Sequence, residues 1–285
     1  MSVCKKCGKR AIAHLKHYRT ALCENCYPEF YLRLLSRSIK KHHILKRDER
    51  ILLAASGGKD SSAMADSLKK LGYDFELYYI DLGIGTYSKK SEEIVKNLAK
   101  CIDVPLNIER LKDHGFEISK IKRKPCSACG TAKRYLMNRF ARLNNFHVVA
   151  TGHTAEDIVS FYLKNLSGGQ KAWVEKLKPR NESFDKKVVV KAKPLFEISE
   201  RENMLYVLTE NIPFNAEKCP FAPNSKWKEI IYDIENKKPG FTKNFVRGLI
   251  KEEEKLKINY CMECGEVSSS EICAFCRLKK RYGHC

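Results

Sequence analysis

Ile51-Leu52-Leu53-Ala54-Ala55-Ser56-Gly57-Gly58-Lys59-Asp60-Ser61 runs from an apolar strand into a glycine pair and on into a helix opening at Asp60. Strand, glycine turn and helix in that order make a phosphate loop. Glycines let backbone N–H groups approach a phosphate closely, and the positive end of the new helix points at the same place. The G-x-x-x-x-G-K-[ST] spacing is missing, so this is not a Walker A loop. An ordinary strand–helix turn is the alternative.

Strands and helices alternate outward from this stretch. A basic helix is expected at 30–43 (Arg33, Arg37, Lys40, Lys41), strands at 51–55, 75–81, 105–109, 146–150 and 188–192, and helices at 60–71, 88–101, 127–143, from Thr154 to before Gly168, and at 199–211. Such alternation implies an α/β fold, a doubly wound parallel sheet with helices on both faces. Ligands of these sheets bind beyond the carboxyl ends of the strands. Ser56–Ser61, Ile80-Asp81 and Thr151-Gly152-His153 all fall there. The expected division is a cysteine knuckle at 1–27, a linker helix at 28–48, a catalytic domain at 49–215, a helical extension at 216–257 and a second knuckle at 258–285.

The chain of 285 residues is 43% hydrophobic, enough for a full core, and carries a formal net charge of +20, which favours a polyanionic partner. No apolar run approaches the ~20 residues of a spanning helix, and the first residues lack the apolar segment of a secretory signal. A cytoplasmic protein without a membrane partner is expected.

Thirteen cysteines in such a chain point to metals. Cys4, Cys7, Cys23 and Cys26 form two C-x-x-C pairs, and Cys261, Cys264, Cys273 and Cys276 form two more. Each set can close one tetrahedral Zn²⁺ site, leaving no position for a substrate. Disulfide-stapled hairpins are the alternative. Cys126, Cys129 and Cys219 differ, since three cysteines alone do not close a zinc site. They suit an iron–sulfur cluster with one open iron able to bind hydrosulfide, a persulfide-forming redox pair, or simply buried thiols. Cys101 follows the apolar pattern of its helix and is expected in the core.

Ser56-Gly57-Gly58-Lys59-Asp60-Ser61 resembles the PP-loop of the ATP pyrophosphatases. Together with Pro125-Cys126-Ser127-Ala128-Cys129-Gly130, Cys219 and the two flanking C-x-x-C sets, it resembles the TtuA/TtcA-type tRNA thiolation enzymes over essentially the whole chain. The similarity is greatest to the TtuA-like branch with two zinc fingers, which includes archaeal NcsA proteins and eukaryotic cytoplasmic wobble-uridine thiolases. The resemblance implies ATP-dependent conversion of a tRNA uridine to 2-thiouridine, with a [4Fe-4S] cluster on Cys126, Cys129 and Cys219. It also implies a sulfur donor, either free sulfide or a ubiquitin-like carrier ending in a thiocarboxylate, and a homodimer. It implies that Ala54 and Ile80 meet adenosine, that Gly152 lies at the nucleotide, that Lys133 binds substrate or phosphate, and that Asp157 acts in catalysis or ATP–metal binding.

The chemistry has its own logic. The C2 oxygen of a pyrimidine leaves poorly, whereas its AMP ester can be displaced by sulfur. Ser56, Gly57, Gly58 and Ser61 would cradle the phosphates, and Lys59 would neutralise charge developing on pyrophosphate. Asp60 would cap the helix and hold Mg²⁺. Lys120, Lys122, Arg123 and Lys124 lead into Cys126, and Lys243, Arg247, Lys251 and Arg277–Tyr282 add basic residues for RNA. The competing functions are a PP-loop enzyme with a nitrogen acceptor, which needs no three-cysteine centre, and a non-catalytic zinc-dependent RNA-binding protein.

Overall fold

The computed structural model describes residues 2–222, 226–250 and 259–283. The chain divides into two units, Met1–Leu249 and Ile250–Cys285. The expected boundary at 257/258, together with Lys251 and Cys285, lies outside the described residues.

The first unit begins with a hairpin, β1 (Ala13–Leu15) and β2 (Thr20–Leu22), followed by α1 (Tyr27–Lys41). Next come β3 (Ile51–Ala54), α2 (Lys59–Lys70), β4 (Phe75–Asp81), α3 (Gly85–Cys101) and β5 (Leu106–Arg110). The chain continues through α4 (Pro125–Leu143), β6 (Val148–Ala150), α5 (Ala155–Ser167), α6 (Lys171–Val174), β7 (Arg180–Asn181) and β8 (Val190–Ala192). It ends with α7 (Glu200–Thr209), α8 (Lys226–Lys237) and α9 (Phe241–Gly248). The second unit holds β9 (Asn259–Tyr260), β10 (Val267–Ser268), which pair antiparallel, and α10 (Ala274–Tyr282).

Six strands form the main sheet in the order β5-β4-β3-β6-β8-β7. β3 lies at its centre, with Ile51, Leu52 and Leu53 no more than 1% exposed. Apolar side chains on both faces of one short strand suit a parallel sheet covered by helices, each contributing about 1.5–3 kcal/mol by burial. Five strands run parallel, as expected. The sixth, β7, departs from the all-parallel expectation by pairing antiparallel with β8 at the edge. Two residues are too few to show a periodicity. A second correction concerns Cys101, which is exposed. It ends α3 on the solvent side, while Val95, Leu98 and Ala99 carry the buried stripe.

The N-terminal hairpin and α1 are joined to the sheet domain by tyrosines. Tyr18 and Tyr27 donate to Glu202, to its side chain (2.8 Å) and its carbonyl (2.9 Å). Tyr31 stacks on Tyr206 at 4.1 Å between centroids and donates to Asn203 Oδ1 at 2.7 Å, while Asn203 Nδ2 donates to Asp60 Oδ1 at 2.8 Å. One buried amide thus links α1 to the first turn of α2. Asn203→Ala would orphan a buried hydroxyl and one carboxylate oxygen. Its expected cost is about 2–4 kcal/mol, read as a lower urea midpoint at unchanged slope. A midpoint within about 0.5 kcal/mol of wild type would remove the link from the account.

Candidate active site

The loop between β3 and α2 is fixed from several directions. Gly57 adopts φ +78, a left-handed conformation, and a Cβ there would come within 3.0 Å of the Ser91 carbonyl oxygen. Both facts require glycine. Ser56 N–H donates to Ser61 Oγ at 3.2 Å, and Ser61 Oγ donates to the Gly58 carbonyl at 2.9 Å. Gly58, not Asp60, occupies the N-cap of α2, and its side-chain cap is absent. The expected capping role of Asp60 is therefore corrected: its carboxylate is taken by Asn203 and by Lys59 Nζ at 2.9 Å. Burial pushes the Asp60 carboxyl above its usual range. The first N–H groups of α2 are left to an outside acceptor, the arrangement that receives a phosphate.

A cavity of about 300 Å³ opens beside this loop at the carboxyl ends of β3, β4 and β6. Ala54, Ser56, Gly58, Asp60, Ser61, Ile80, Gly152 and Lys133 all line it. That volume lies at the small end of nucleotide-sized pockets. Tyr87, Ser91 and Met137 are also in the wall and were not singled out from sequence. His153 also lines it, bonded through Nδ1 to Thr151 Oγ1 at 2.9 Å, and burial pushes its pKa down. Gly57, Lys59 and Asp157 lie off the wall.

Asp157 and Lys59 belong to a charged network. Thr154 and Asp157 form the capping box of α5, and Asp157 Oδ1 lies 2.6 Å from Lys228 Nζ on α8. Lys228 also pairs with Glu200 Oε1, while Glu200 Oε2 lies 3.2 Å from Lys59 Nζ. Burial raises the Asp157 carboxyl, but Lys228, His153 and the Thr154 N–H together outweigh it and hold the group below its usual range. Glu200 and Lys228 were missed. Glu200 follows the capping Ser199, and Lys228 sits in the polar stretch Lys226-Trp227-Lys228-Glu229, so both look like solvated residues in the sequence.

The three central cysteines come from two segments. Cys126 and Cys129 lie in the first turns of α4, whose same face carries Lys133 and Met137 to the cavity. Cys219 arrives on the segment after α7. That segment is anchored by Asn215, whose N–H donates to the Gly57 carbonyl at 2.7 Å and whose side chain donates to Ser91 Oγ at 3.1 Å. Cys126 Sγ donates to the Phe221 carbonyl, and Cys129, Cys219 and Tyr87 pack against one apolar cluster. Burial first, then the charges of Cys219 and Cys129, push the Cys126 thiol up. Thiolates that repel one another need a cation between them, so the donor set fits an iron–sulfur cluster on three cysteines. Among the described residues, only the two terminal sets draw their sulfurs within 4.8 Å of one another. Ligands of a four-iron cluster spread wider than those of a single ion.

Those terminal sets are Cys4, Cys7, Cys23 and Cys26 in the first unit and Cys261, Cys264, Cys273 and Cys276 in the second. Each begins with the same knuckle. Gly8 (φ +76) and Gly265 (φ +77) turn the chain so that their N–H groups reach the carbonyls of Cys4 and Cys261 at 2.9 and 2.8 Å. Backbone donors, led by Cys273 N–H, hold Cys261 down to about 6. For Cys4 burial opposes the shift, but backbone donors from Cys23, Lys6 and Cys7 still bring it to about 6. Four converging thiols with stabilised thiolates fit closed tetrahedral zinc.

Known proteins agree with this geometry. A family model described as the PP-loop domain matches residues 32–253, and one described as the N-terminal LIM domain of 2-thiouridine synthetase TtuA matches residues 3–28. The chain belongs to the TtuA-type PP-loop family. It is 40% identical to a tRNA-5-methyluridine(54) 2-sulfurtransferase of Pyrococcus horikoshii, over 96% of this chain and 92% of the relative. It is 37% identical to the protein of the same name from Thermotoga maritima, over 98% and 96%. A solved structure, the U34-tRNA thiolase NcsA from Methanococcus maripaludis with its [4Fe-4S] cluster, superposes with TM-score 0.76 at 26% identity, covering 100% of this chain and 98% of that one.

The basic surface expected from sequence is only partly present. Lys122, Arg123 and Lys124 are exposed beside α4. Lys243 is instead buried against the Tyr18 hydroxyl, and Arg247 pairs with Glu197 at 2.8 Å. Arg247 is thus neutralised by an acid, and Lys243 is withdrawn from the surface.

Two outcomes follow from the site. Metal analysis of the purified protein is expected to give two zinc ions per chain, and Cys261→Ser to give one with the first-unit site intact. Two zinc ions in that variant would refute the ligand set. Lys59→Ala is expected to lower pyrophosphate release by at least about 100-fold at unchanged metal content. Normal turnover would remove Lys59 from the phosphate site.

Proposed function

We propose that this chain is an ATP-dependent tRNA 2-sulfurtransferase. It adenylates the C2 oxygen of a tRNA uridine and exchanges that oxygen for sulfur, and its target is the 5-methyluridine at position 54. The observation that carries the reading is that one face of α4 lends Lys133 to the nucleotide cavity and places Cys126 and Cys129 beside it. Position 54 is supported by the 40% and 37% identity to enzymes named for that nucleotide, against 26% for the U34 thiolase.

Each part has a stated task. Backbone N–H groups at Gly57–Ser61 receive the phosphates, while the ends of β3 and β4 at Ala54 and Ile80, with Gly152, face the adenosine. Asp60 would hold Mg²⁺ when Lys59 turns from it to the phosphates, and Lys59 neutralises the departing pyrophosphate. Lys133, between the cavity and the thiols, steadies the α-phosphate as the adenylated oxygen leaves. Asp157 acts through Lys228. In the exchange the C2–S bond forms, the C2–O bond breaks, AMP departs with the bonding pair, and the proton on sulfur goes to solvent. Sulfur supplied at the sulfide level keeps this exchange redox-neutral, either as free sulfide or from the thiocarboxylate of a ubiquitin-like carrier, whose acyl C–S bond is then cleaved by water to leave the carrier's carboxylate. Cys126, Cys129 and Cys219 would hold a [4Fe-4S] cluster, which would supply an iron able to bind sulfur. The exposed Lys122-Arg123-Lys124 run meets tRNA phosphates. No described helix is long and apolar enough to cross a membrane, and a cytoplasmic location is supported by the name of a relative 28% identical, a cytoplasmic tRNA 2-thiolation protein of Drosophila melanogaster.

Anaerobically reconstituted protein, tRNA, ATP and sulfide test the reading together. Mass spectrometry of the digested tRNA is expected to find 2-thio-5-methyluridine at position 54. Cys219→Ala is expected to lose both the cluster absorbance and the product while still binding ATP. Product at position 34 would move the target to the wobble base. Full thiolation by iron-free wild type would replace the cluster by a cysteine persulfide.

A further inference from the structure

Glu200 is held by two ammonium groups at once. Its Oε2 lies 3.2 Å from Lys59 Nζ, its Oε1 is paired with Lys228 Nζ, and the Tyr232 hydroxyl donates to Oε2 at 3.0 Å. The three charged side chains are largely shielded, 17% exposed at Glu200, 21% at Lys59 and 28% at Lys228, while Tyr232 is exposed. Two lysines converging on one anionic group, next to the open N-terminus of α2, form a site for an anion larger than a carboxylate.

We propose that Lys228 is a second phosphate-binding lysine of the adenylation site, taking the β- and γ-phosphates together with Lys59 in the place that the Glu200 carboxylate marks. The proposal rests on the reading of this loop as an ATP site and adds a ligand that the loop itself does not contain. ATP brings several negative charges to the loop, and pyrophosphate leaves with more than it had while bound through the α-phosphate. One lysine faces that change in charge alone unless another element contributes. α8 contributes Lys228 from outside the strand–helix succession.

The neighbours of Lys228 aim it. Asp157 Oδ2 is engaged at the start of α5, where it accepts from Thr154 N–H at 3.0 Å, so the carboxylate has a fixed orientation. Its other oxygen holds Lys228 at 2.6 Å. Burial pulls the Lys228 ammonium down, but Asp157 and Glu200 outweigh it and hold it above its usual range. The charge also reaches the nucleotide cavity. After burial itself, Lys193, Lys228 and Lys133 depress the His153 imidazolium on the cavity wall, against the opposing pull of Asp157. Lysines from α4, β8's flank and α8 therefore surround the same strand ends. Asp157 is then a positioning residue, acting on phosphate through Lys228.

A purely structural ion pair between α5 and α8 would give the same distances, and ligand selectivity separates the two. Full-length, metal-replete protein is titrated with Mg-ATP, inorganic pyrophosphate and AMP by calorimetry. Lys228→Gln is expected to weaken ATP and pyrophosphate by about 10- to 100-fold. AMP, which lacks the β- and γ-phosphates, is expected to stay within about threefold of wild type. Lys228→Arg keeps the charge and is expected to recover most of the pyrophosphate affinity. Wild-type affinity for ATP and pyrophosphate in Lys228→Gln would overturn the proposal. So would an equal loss of AMP binding, which marks a structural role, or an arginine variant as weak as the glutamine one. Wild-type protein that binds no ATP would instead overturn the ATP-site reading itself.

Discussion

The hydrogen bond from Asn215 N–H to the Gly57 carbonyl ties the two halves of the site together. Gly57 can offer that carbonyl because its left-handed conformation turns the peptide outward from the loop. Asn215 can reach it because its own side chain is fixed on Ser91. Four residues later the same segment presents Cys219. The thiol side and the phosphate side therefore share one backbone contact, and a shift in the loop moves the third cysteine with it. Tyr87 lies at this junction, lining the cavity while Cys219 and Cys129, after burial, push its hydroxyl pKa up.

A second asparagine does the same work from the other direction. Asn203 receives the Tyr31 hydroxyl and donates to Asp60, so α1 bears on the first turn of α2. An amide suits this position because it offers an acceptor to the tyrosine and a donor to the carboxylate at once. The N-terminal knuckle leads directly into α1, since Cys26 immediately precedes the helix. Folding energy supplied by a metal at Cys4, Cys7, Cys23 and Cys26 is thereby spent on orienting the acid of the phosphate loop, without any ligand of that metal approaching the substrate.

The sequence made some of this legible for clear physical reasons. The loop could be read because glycine, lysine and acid follow an apolar strand at fixed spacing, and local chemistry of that kind does not depend on the rest of the chain. The knuckles could be read because a C-x-x-C turn is set by its own backbone. The helical period alone could place Cys129 and Lys133 on one face, but Cys126 fell just before the helix expected at 127–143, which in fact opens at Pro125. Glu200, Lys228, Asn203 and Asn215 could not. Each acts across a separation of tens to more than a hundred residues, and each has a bland local appearance. Lys243 and Arg247 failed in the opposite direction, looking like RNA-facing charge while Tyr18 and Glu197 hold them inside the protein. Charge in a sequence records composition, and only the fold decides which charges remain free.

That distinction bears on how a single enzyme can hold both ATP and tRNA with so many cations. The phosphate-facing lysines are paired with acids: Lys59 with Asp60 and Glu200, Lys228 with Asp157 and Glu200. Unpaired, they would attract any polyanion, including the RNA backbone, into the nucleotide site. The acids lower that general attraction and leave the lysines available only to a ligand that also meets the N-terminus of α2 and the serines of the loop. Lys122, Arg123 and Lys124 carry no such partners among the described residues and stay exposed. In the proposed function, paired lysines at the strand ends select the nucleotide, while unpaired ones outside α4 attract the longer polyanion. The molecule separates its two anionic ligands by where it neutralises its own charge.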